Sequence, residues 1–448
     1  MRLAGAGRAW TAATALGLLL WPAWTEGAAW AWWGLGLWML WQARPSSGRT
    51  GPPPPAGFIA AAGRSPWPLL AAGAVLGALI HSGLSLWHGD TAALWRQEMK
   101  LAGTWVVAAW WMRHRRSAAP LGSEGGGRFR NAWTLWVLSL PVAALVAWAW
   151  PRALLPSGAV PWAHSVALTV AVVAAVACFG QGGLPGWPPK AGGGRDRPRA
   201  QWWAWRPMRL PLLHPRAWMG LALAAGGLAV LFSKTRSAWG VLPWGLGLWV
   251  LSAAGRRRWQ RLAWATAGTA VVLVLWWAWE RQLPAETERG LRLLELWQEL
   301  QWGRHAPLDS SAGSRWALWS AAVGALGQHP WVGMGQQATV ALVQSVVPPT
   351  ALSGVAPLQH VHNQFLHHAL THGLLGVFSL LWSLVALGVL AWCARHRALR
   401  WAWAGLAVTW GLGLLFNANL NHGPHVHAFG LAVWWCVLLE STLCHGES

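Results

Sequence analysis

The stretch His360-Val361-His362-Asn363-Gln364-Phe365-Leu366 ends a long polar segment and runs directly into an apolar run closed by Gly373-Leu374-Leu375-Gly376. Similar apolar runs, interrupted by short polar connections, recur along the rest of the chain. Crossing a bilayer core of roughly 30 Å takes about 20 apolar residues in a helix. We therefore interpret the chain as a membrane scaffold that carries this stretch, with a few arginines, to one side of a bilayer.

The composition favours the same interpretation. Of the 448 residues, 55% are hydrophobic and only 10% are charged, whereas charged residues make up about a quarter of soluble globular domains. The net charge of +21 raises the question of whether the chain binds nucleic acid. However, the Lys and Arg residues stand between apolar runs, as they do in the cytoplasmic loops of membrane proteins. We expect a polytopic membrane protein that does not bind nucleic acid, with interfacial belts built from Trp.

The predicted fold class is all-α, a polytopic helical bundle with about twelve transmembrane helices and one large loop that contains short helices. Some of the candidate spans are short for a bilayer crossing. The candidates are residues 10–24, 28–42, 67–87, 91–112, 133–150, 162–179, 218–232, 238–254, 262–279, 364–392, 401–416 and 426–443.

Basic residues orient these spans. Most of the 34 Lys and Arg residues fall in alternate connections, which the positive-inside rule assigns to the cytoplasm. The alternation persists through all twelve spans. It predicts that residues 233–237, 280–363 and 417–425 lie on the opposite face, outside the cytoplasm.

The chain divides into three predicted regions: an N-terminal bundle at 1–230, a catalytic region at 231–380 and C-terminal helices at 381–448. Within the second, the loop 280–363 has helical patterns at about 286–301 and from Ser314, the expected cap, to Gly327. The following turn, Pro330-Trp331-Val332-Gly333-Met334-Gly335, needs the backbone freedom of glycine. We expect a small ordered subdomain on the outer face.

The outer face also collects the residues that can carry chemistry. ATP is absent outside the cytoplasm, so a reaction there needs a preactivated substrate such as a lipid pyrophosphate. Arginine side chains can hold a departing pyrophosphate through forked hydrogen bonds, and histidine can act as a base near neutral pH. The candidates are Arg236, in a short connection between spans, Arg315 in the loop, and His360 with His362 at the mouth of the next span.

The order and spacing of these motifs resemble the O-antigen ligase superfamily of bacterial envelope glycosyltransferases. The block Ser314-Arg315-Trp316, the turn at 330–335, the stretch His360-Val361-His362-Asn363 and Gly373-Leu374-Leu375-Gly376 carry the resemblance, which covers about residues 231–380. It implies metal-independent transfer of a glycan, with inversion, from an undecaprenyl-pyrophosphate carrier to an acceptor hydroxyl. For an O-antigen ligase that acceptor is a sugar of lipid A-core, and the location is the bacterial inner membrane with the active site facing the periplasm.

By position, the resemblance makes His362, Arg315 and Arg236 the catalytic residues. We assign His360, Asn363 and Lys234 to substrate binding, and expect no cofactor and no metal. One departure concerns a glutamate that many members carry two residues before the first glycine of Gly-Leu-Leu-Gly, where this chain has Thr371.

Three alternatives stay open. Within the superfamily, an O-antigen polymerase or a protein O-oligosaccharyltransferase would use the same motifs. From another class, a proton-coupled secondary transporter would depend on His367, His368 and His372 in the first turns of the span. A histidine-bound metalloenzyme would lose activity with chelators; His368 and His372 have a suitable spacing, although a polar cavity is the favoured interpretation of these residues. His422, His425 and His427 form a second polar cluster, interpreted as an acceptor contact or a hydrated loop.

Overall fold

The computed structural model describes residues 14–23, 27–42, 65–90, 92–114, 123–149, 159–179, 215–233, 235–280, 301, 307–308, 311–347 and 358–443. Over these residues the regular structure is helical and contains no strand, which confirms the predicted all-α class. Residues 14–20 form a short helix. The later α-helices are α1 (Gly27–Gln42), α2 (Trp67–Trp87), α3 (Ala92–His114), α4 (Ser123–Ala149), α5 (Ala159–Phe179), α6 (Pro215–Phe232), α7 (Val241–Leu251), α8 (Arg256–Glu280), α9 (Ser311–Leu326), α10 (Gly335–Val346), α11 (Gln364–Cys393), α12 (Arg397–Phe416) and α13 (Gly423–Leu443).

Helical residues overlap all twelve predicted spans. Five helical segments among the described residues are long and apolar enough to cross a membrane: Trp67–Trp87, Ala132–Ala149, Val160–Phe179, Gln364–Cys393 and Arg397–Phe416. Met219–Phe232 and Ser237–Leu251 are apolar but shorter. The chain is thus a multi-pass membrane protein, and the count of twelve crossings stays a prediction.

Helix α5 lies at the centre of the bundle. Apart from His164, Ser165 and Thr169, its residues are apolar on every side, the pattern of a helix without a solvent face. Residues 161–176 are all buried. It packs against α6, α7, α12 and α13. Because most of its side chains are Ala and Val, neighbouring helices can approach closely around it.

A second, smaller hydrophobic core joins α9, α10 and the start of α11. Leu318 and Ala322 from α9 meet Val343 from α10, together with Val361 and Leu370. This core gives part of the predicted outer subdomain a physical basis within residues 311–347 and 358–370. The subdomain also rests on the connection between α2 and α3, where the Asp90 carboxylate accepts a hydrogen bond from the backbone N–H of Gln336 at the start of α10 (3.0 Å).

Two details of the outer subdomain differ from the sequence prediction. Helix α9 begins at Ser311 rather than at Ser314, so Ser314 lies inside the first turn and does not cap the helix; the residues ahead of it, Ser-Ala-Gly, continue the helix without a strong stop signal. The periodicity argument also missed α10, a short helix of 12 residues. The helix predicted at 286–301 falls outside the described residues except for residue 301.

Helix α11 is broken at Gly373, where the backbone is left-handed (φ 67°). The turn Pro330–Gly335 fits against the break. The N–H of Met334 donates to the Leu370 carbonyl (2.7 Å), and the N–H of Leu374 donates to the Pro330 carbonyl (2.8 Å). These bonds satisfy backbone groups that the break removes from the helix, which is a requirement inside a membrane protein.

Candidate active site

The backbone around His362 is fixed by its neighbours. Val361 is buried in the outer core, and its carbonyl accepts a hydrogen bond from the Trp319 indole of α9 (2.8 Å). Asn363 caps α11, because its side-chain oxygen accepts from the N–H of Leu366 (3.0 Å). Because Val361 is buried and the Asn363 side chain caps the helix, the backbone of His362 is held just before the start of α11.

His362 has a left-handed backbone, with φ of 52°. Such a conformation costs a residue other than glycine roughly 1–2 kcal/mol, and strained residues of this kind cluster at functional sites. The strain directs the imidazole toward Asn417 at the end of α12, where Nδ1 lies 3.3 Å from the amide oxygen. A carbonyl oxygen can only accept a hydrogen bond, so Nδ1 is the donor and Nε2 keeps the lone pair.

The segment that carries Asn417 is attached directly to the histidine motif. The backbone N–H of Leu420 donates to the side-chain oxygen of Gln364, the first residue of α11 (2.9 Å). Asn417 is itself buried. The motif and the connection between α12 and α13 are therefore in direct contact.

Arg315 lies in the second turn of α9 and acts electrostatically on His362. Burial is the main cause that lowers the pKa of His362, and the positive charge of Arg315 is the second; the hydrogen bond with Asn417 opposes them, and the result is a pKa of about 4. His362 is consequently neutral at pH 7. Two of the three predicted catalytic residues share one site.

His360 lies beside His362, with ring centroids 4.5 Å apart in an edge-on arrangement. Burial, followed by the charge of His362, lowers the pKa of His360 well below its ordinary value. Burial also lowers the pKa of His422 in the connection before α13. The outer mouth thus carries His362 and two further imidazoles whose pKa values lie below the ordinary value.

The third predicted catalytic residue, Arg236, begins the 3-10 helix Arg236–Gly240 between α6 and α7. Its side chain and the whole of Lys234 fall outside what the structure describes. The next residue, Ser237, is within hydrogen-bond distance of Nε2 of His164 on α5 (2.9 Å). The backbone near Arg236 is therefore anchored to the central helix.

His367, His368 and His372 line a small polar cavity just inside the mouth, as the sequence predicted. His367 lies within 3.4 Å of the Asn421 amide nitrogen, and Nε2 of His372 lies 2.9 Å from the Ser85 hydroxyl. Thr371, at the position of the superfamily glutamate, donates its hydroxyl proton to the His367 carbonyl (2.8 Å).

Sequence reasoning missed three residues here: His81 on α2, Glu98 on α3, and Asn417. His81 and Glu98 were detectable, because an ionisable residue within an apolar span is a functional candidate by default. For Asn417 the basic-residue pattern predicts only that it lies in the connection 417–425, on the outer face. Its proximity to His362 depends on the packing of α12 against α11, which no local pattern encodes.

Comparison with known proteins identifies the region around this site. No curated protein matches the chain. Residues 221–381 match the family model described as O-antigen ligase, a little over a third of the chain that contains Arg236, Arg315 and His362. The match indicates an enzyme that transfers glycosyl groups between a glycan donor and an acceptor. Residues 221–381 are thus similar to the O-antigen ligase family, which confirms the resemblance to the O-antigen ligase superfamily that the motifs predicted.

Proposed function

We propose that this protein transfers a glycan from an undecaprenyl-pyrophosphate carrier to an acceptor hydroxyl on the periplasmic side of the bacterial inner membrane, with lipid A-core as the acceptor. The observation that carries the proposal is the oriented pair of His362 and Asn417 (3.3 Å) beside the charge of Arg315. A neutral imidazole with one free nitrogen next to a guanidinium is suited to accept a proton near a bound phosphate.

In the proposed reaction the acceptor oxygen forms a bond to the anomeric carbon while the bond from that carbon to the pyrophosphate oxygen breaks. The hydroxyl proton passes to Nε2 of His362. Arg315, together with Arg236, holds the departing pyrophosphate. A single displacement inverts the anomeric carbon. The charge and the base come from the protein, so the step uses no metal at the reacting atoms.

Donor binding would also strengthen the base. Arg315 lowers the pKa of His362 in the free protein, and a pyrophosphate at Arg315 brings negative charge that opposes this effect. The pKa of His362 then rises toward the pH of the reaction, where a general base is most effective. The imidazole becomes a better base when the donor is present.

The superfamily alternatives, a polymerase and a protein O-oligosaccharyltransferase, use the same donor chemistry and differ in the acceptor. The transporter alternative has one specific observation in its favour, the buried histidines of the cavity inside the mouth. It predicts that His367, His368 and His372 matter more than Arg315. The transferase proposal predicts the opposite order, since Arg315 lies at the outer site with His362 and the three cavity histidines do not.

The test of the proposal is His362→Ala, assayed with purified protein, an undecaprenyl-pyrophosphate-linked glycan and lipid A-core. Removal of a positioned base costs about 10² to 10⁴ in rate, so transfer should fall by at least a hundredfold. His329→Ala is the matched control, because His329 is an exposed histidine of the same outer subdomain. Both variants should accumulate in the membrane equally.

Two results would contradict the proposal. Near-normal transfer by His362→Ala would remove the base from the mechanism. Equal losses in both histidine variants would indicate general damage to the outer subdomain rather than to the site. Polymeric product without lipid A-core attachment would instead select the polymerase, and a glycosylated protein would select the oligosaccharyltransferase.

A further inference from the structure

Three ionisable side chains from three different helices meet inside the bundle. His81 comes from the middle of α2, Glu98 from α3 and His368 from the second turn of α11. Their exposed fractions are 3%, 2% and 4%. Burial of polar groups in an apolar bundle is costly unless they have partners, so this cluster requires an explanation that the outer site does not give.

The geometry of the cluster is that of a small ligand set. Nε2 of His368 lies 3.3 Å from a carboxylate oxygen of Glu98. One ligand atom from each of the three residues lies within 4.8 Å of the other two. Zinc bonds of about 2.0–2.2 Å in a tetrahedron place neighbouring ligand atoms roughly 3.4 Å apart. The separation of His368 and Glu98 already matches that value.

His81 supplies an independent observation. Neither of its ring nitrogens has a hydrogen-bond partner among the described residues, although a buried unsatisfied polar group costs about 1–3 kcal/mol. Its ring lies against those of His368 and His372, with centroids 4.8 and 3.9 Å away. Within the described part of the chain no hydrogen bond fixes the His81 ring, and a ligand nitrogen of His81 already lies within 4.8 Å of the other two ligand atoms.

The cavity beside the cluster leaves room for a fourth ligand. Besides the three residues, its lining includes the amide side chains of Gln97, Gln336 and Asn421. These groups can hydrogen-bond to a water molecule. Two imidazoles, one carboxylate and an open position occupied by water are a donor set typical of zinc.

We propose that His81, Glu98 and His368 bind one divalent transition-metal ion, with Zn²⁺ as the preferred ion and a water molecule from the cavity as the fourth ligand. The three protein ligands come from α2, α3 and α11, so the ion cross-links these helices beneath the outer site. It gives His81 a partner, which this side chain lacks among the residues that the structure describes. The ion is separate from the residues proposed to hold the pyrophosphate.

The experiment uses the full chain, purified in detergent with an affinity tag that contains no histidine. The protein is incubated with Zn²⁺, freed from excess metal by gel filtration, and analysed by mass spectrometry for metal content. We expect about one Zn²⁺ per chain for the wild type and a tenth of that or less for His81→Gln and Glu98→Gln. His164→Gln is the matched control, because His164 is a fully buried histidine on α5 that does not line the cavity; it should bind Zn²⁺ as the wild type does.

Folding is monitored by gel filtration and by thermal unfolding. Zn²⁺ should raise the unfolding temperature of the wild type and of His164→Gln, because a ligand that binds only the folded state stabilises it, and should not raise that of His81→Gln. If the His81 variant fails to fold, Co²⁺ loaded into the wild type must give the visible spectrum of a tetrahedral site. A wild type without bound metal, equal metal content in His81→Gln, or a Co²⁺ spectrum of a six-coordinate aqueous ion would overturn the proposal. None of these measurements depends on glycan transfer.

Discussion

At the scale of single residues, His362 combines backbone strain with a defined tautomer. Among the residues that the structure describes, it alone has a positive φ without being glycine. Its Nδ1 donates to Asn417, which leaves Nε2 free. Asn417 acts through His362 and is therefore a positioning residue. The strained backbone and the hydrogen bond together fix the direction in which the imidazole can accept a proton.

The pH dependence of transfer follows from the pKa of His362. In the free protein burial and Arg315 lower this pKa to about 4, so the imidazole stays neutral and active as pH falls through 6.5. Because kcat/KM reports the free enzyme, it should stay flat from pH 8 to about pH 5 and decline below that. In the donor complex the pyrophosphate raises the pKa, so the acid limb of kcat should lie at higher pH than the acid limb of kcat/KM.

Asn417→Asp gives the paired control for this measurement. A carboxylate next to the imidazole stabilises the protonated form, so the acid limb of kcat/KM should shift upward in the variant. Two results would contradict the assignment of His362 as the titrating base. One is a wild-type kcat/KM that already falls near pH 6.5. The other is a fall of kcat/KM at the same pH in Asn417→Asp as in the wild type.

At the scale of elements, the break in α11 explains why two separate motifs belong together. The turn at 330–335 and the residues around Gly373 exchange backbone hydrogen bonds. Gly333, with φ of 71°, approaches so closely that an added Cβ would lie 2.5 Å from the Leu370 carbonyl. A Cβ on Gly373 would collide with the backbone of Trp331. Each motif therefore requires glycine because of the other.

Gly373→Ala should separate the turn from the helix. The left-handed backbone alone costs alanine roughly 1–2 kcal/mol, and the collision with Trp331 adds to it. We expect a lower unfolding temperature and at least a tenfold loss of transfer, because the turn joins α9 to α11 and so places Arg315 relative to His362. Gly388→Ala, in the same helix with open space around it, should leave both properties unchanged. Wild-type behaviour of Gly373→Ala would show that the break is dispensable.

The sequence predicted most elements because their signals are local. Apolar runs located the helices, and Asn363 has the side chain that a helix cap needs. The predicted start of α9 was wrong by three residues because Ser-Ala-Gly at 311–313 has no strong signal that stops a helix from beginning earlier. The break at Gly373 was not predictable from its surroundings, since Gly373 stands in an apolar run that otherwise continues as helix. Its cause is the docking of residues about 40 positions away in the chain.

At the scale of the whole molecule, composition predicted an all-α membrane bundle. Which residues meet at the site depends on how the helices pack. The uniform apolar character of α5 is readable from its sequence and fits its central position. The contacts of the site are long-range: His362 meets Asn417 across 55 residues, and His368 meets Glu98 across 270. Such pairs depend on which helices become neighbours, and hydropathy carries no information on that choice.

The central claim is that His362 and Arg315 work on the periplasmic face. Labelling of single cysteines with a membrane-impermeant maleimide tests it most directly, in a background from which the four native cysteines have been removed. Gln328→Cys and Ser345→Cys probe exposed positions of the outer subdomain, and Arg256→Cys probes an exposed position at the start of α8, on the predicted cytoplasmic face.

In spheroplasts the account predicts that the cysteines at positions 328 and 345 react from outside, while the cysteine at position 256 reacts only after the membrane is permeabilised. The opposite pattern would place the arginine and the histidine in the cytosol, away from a periplasmic lipid-linked donor, and would contradict the proposed reaction.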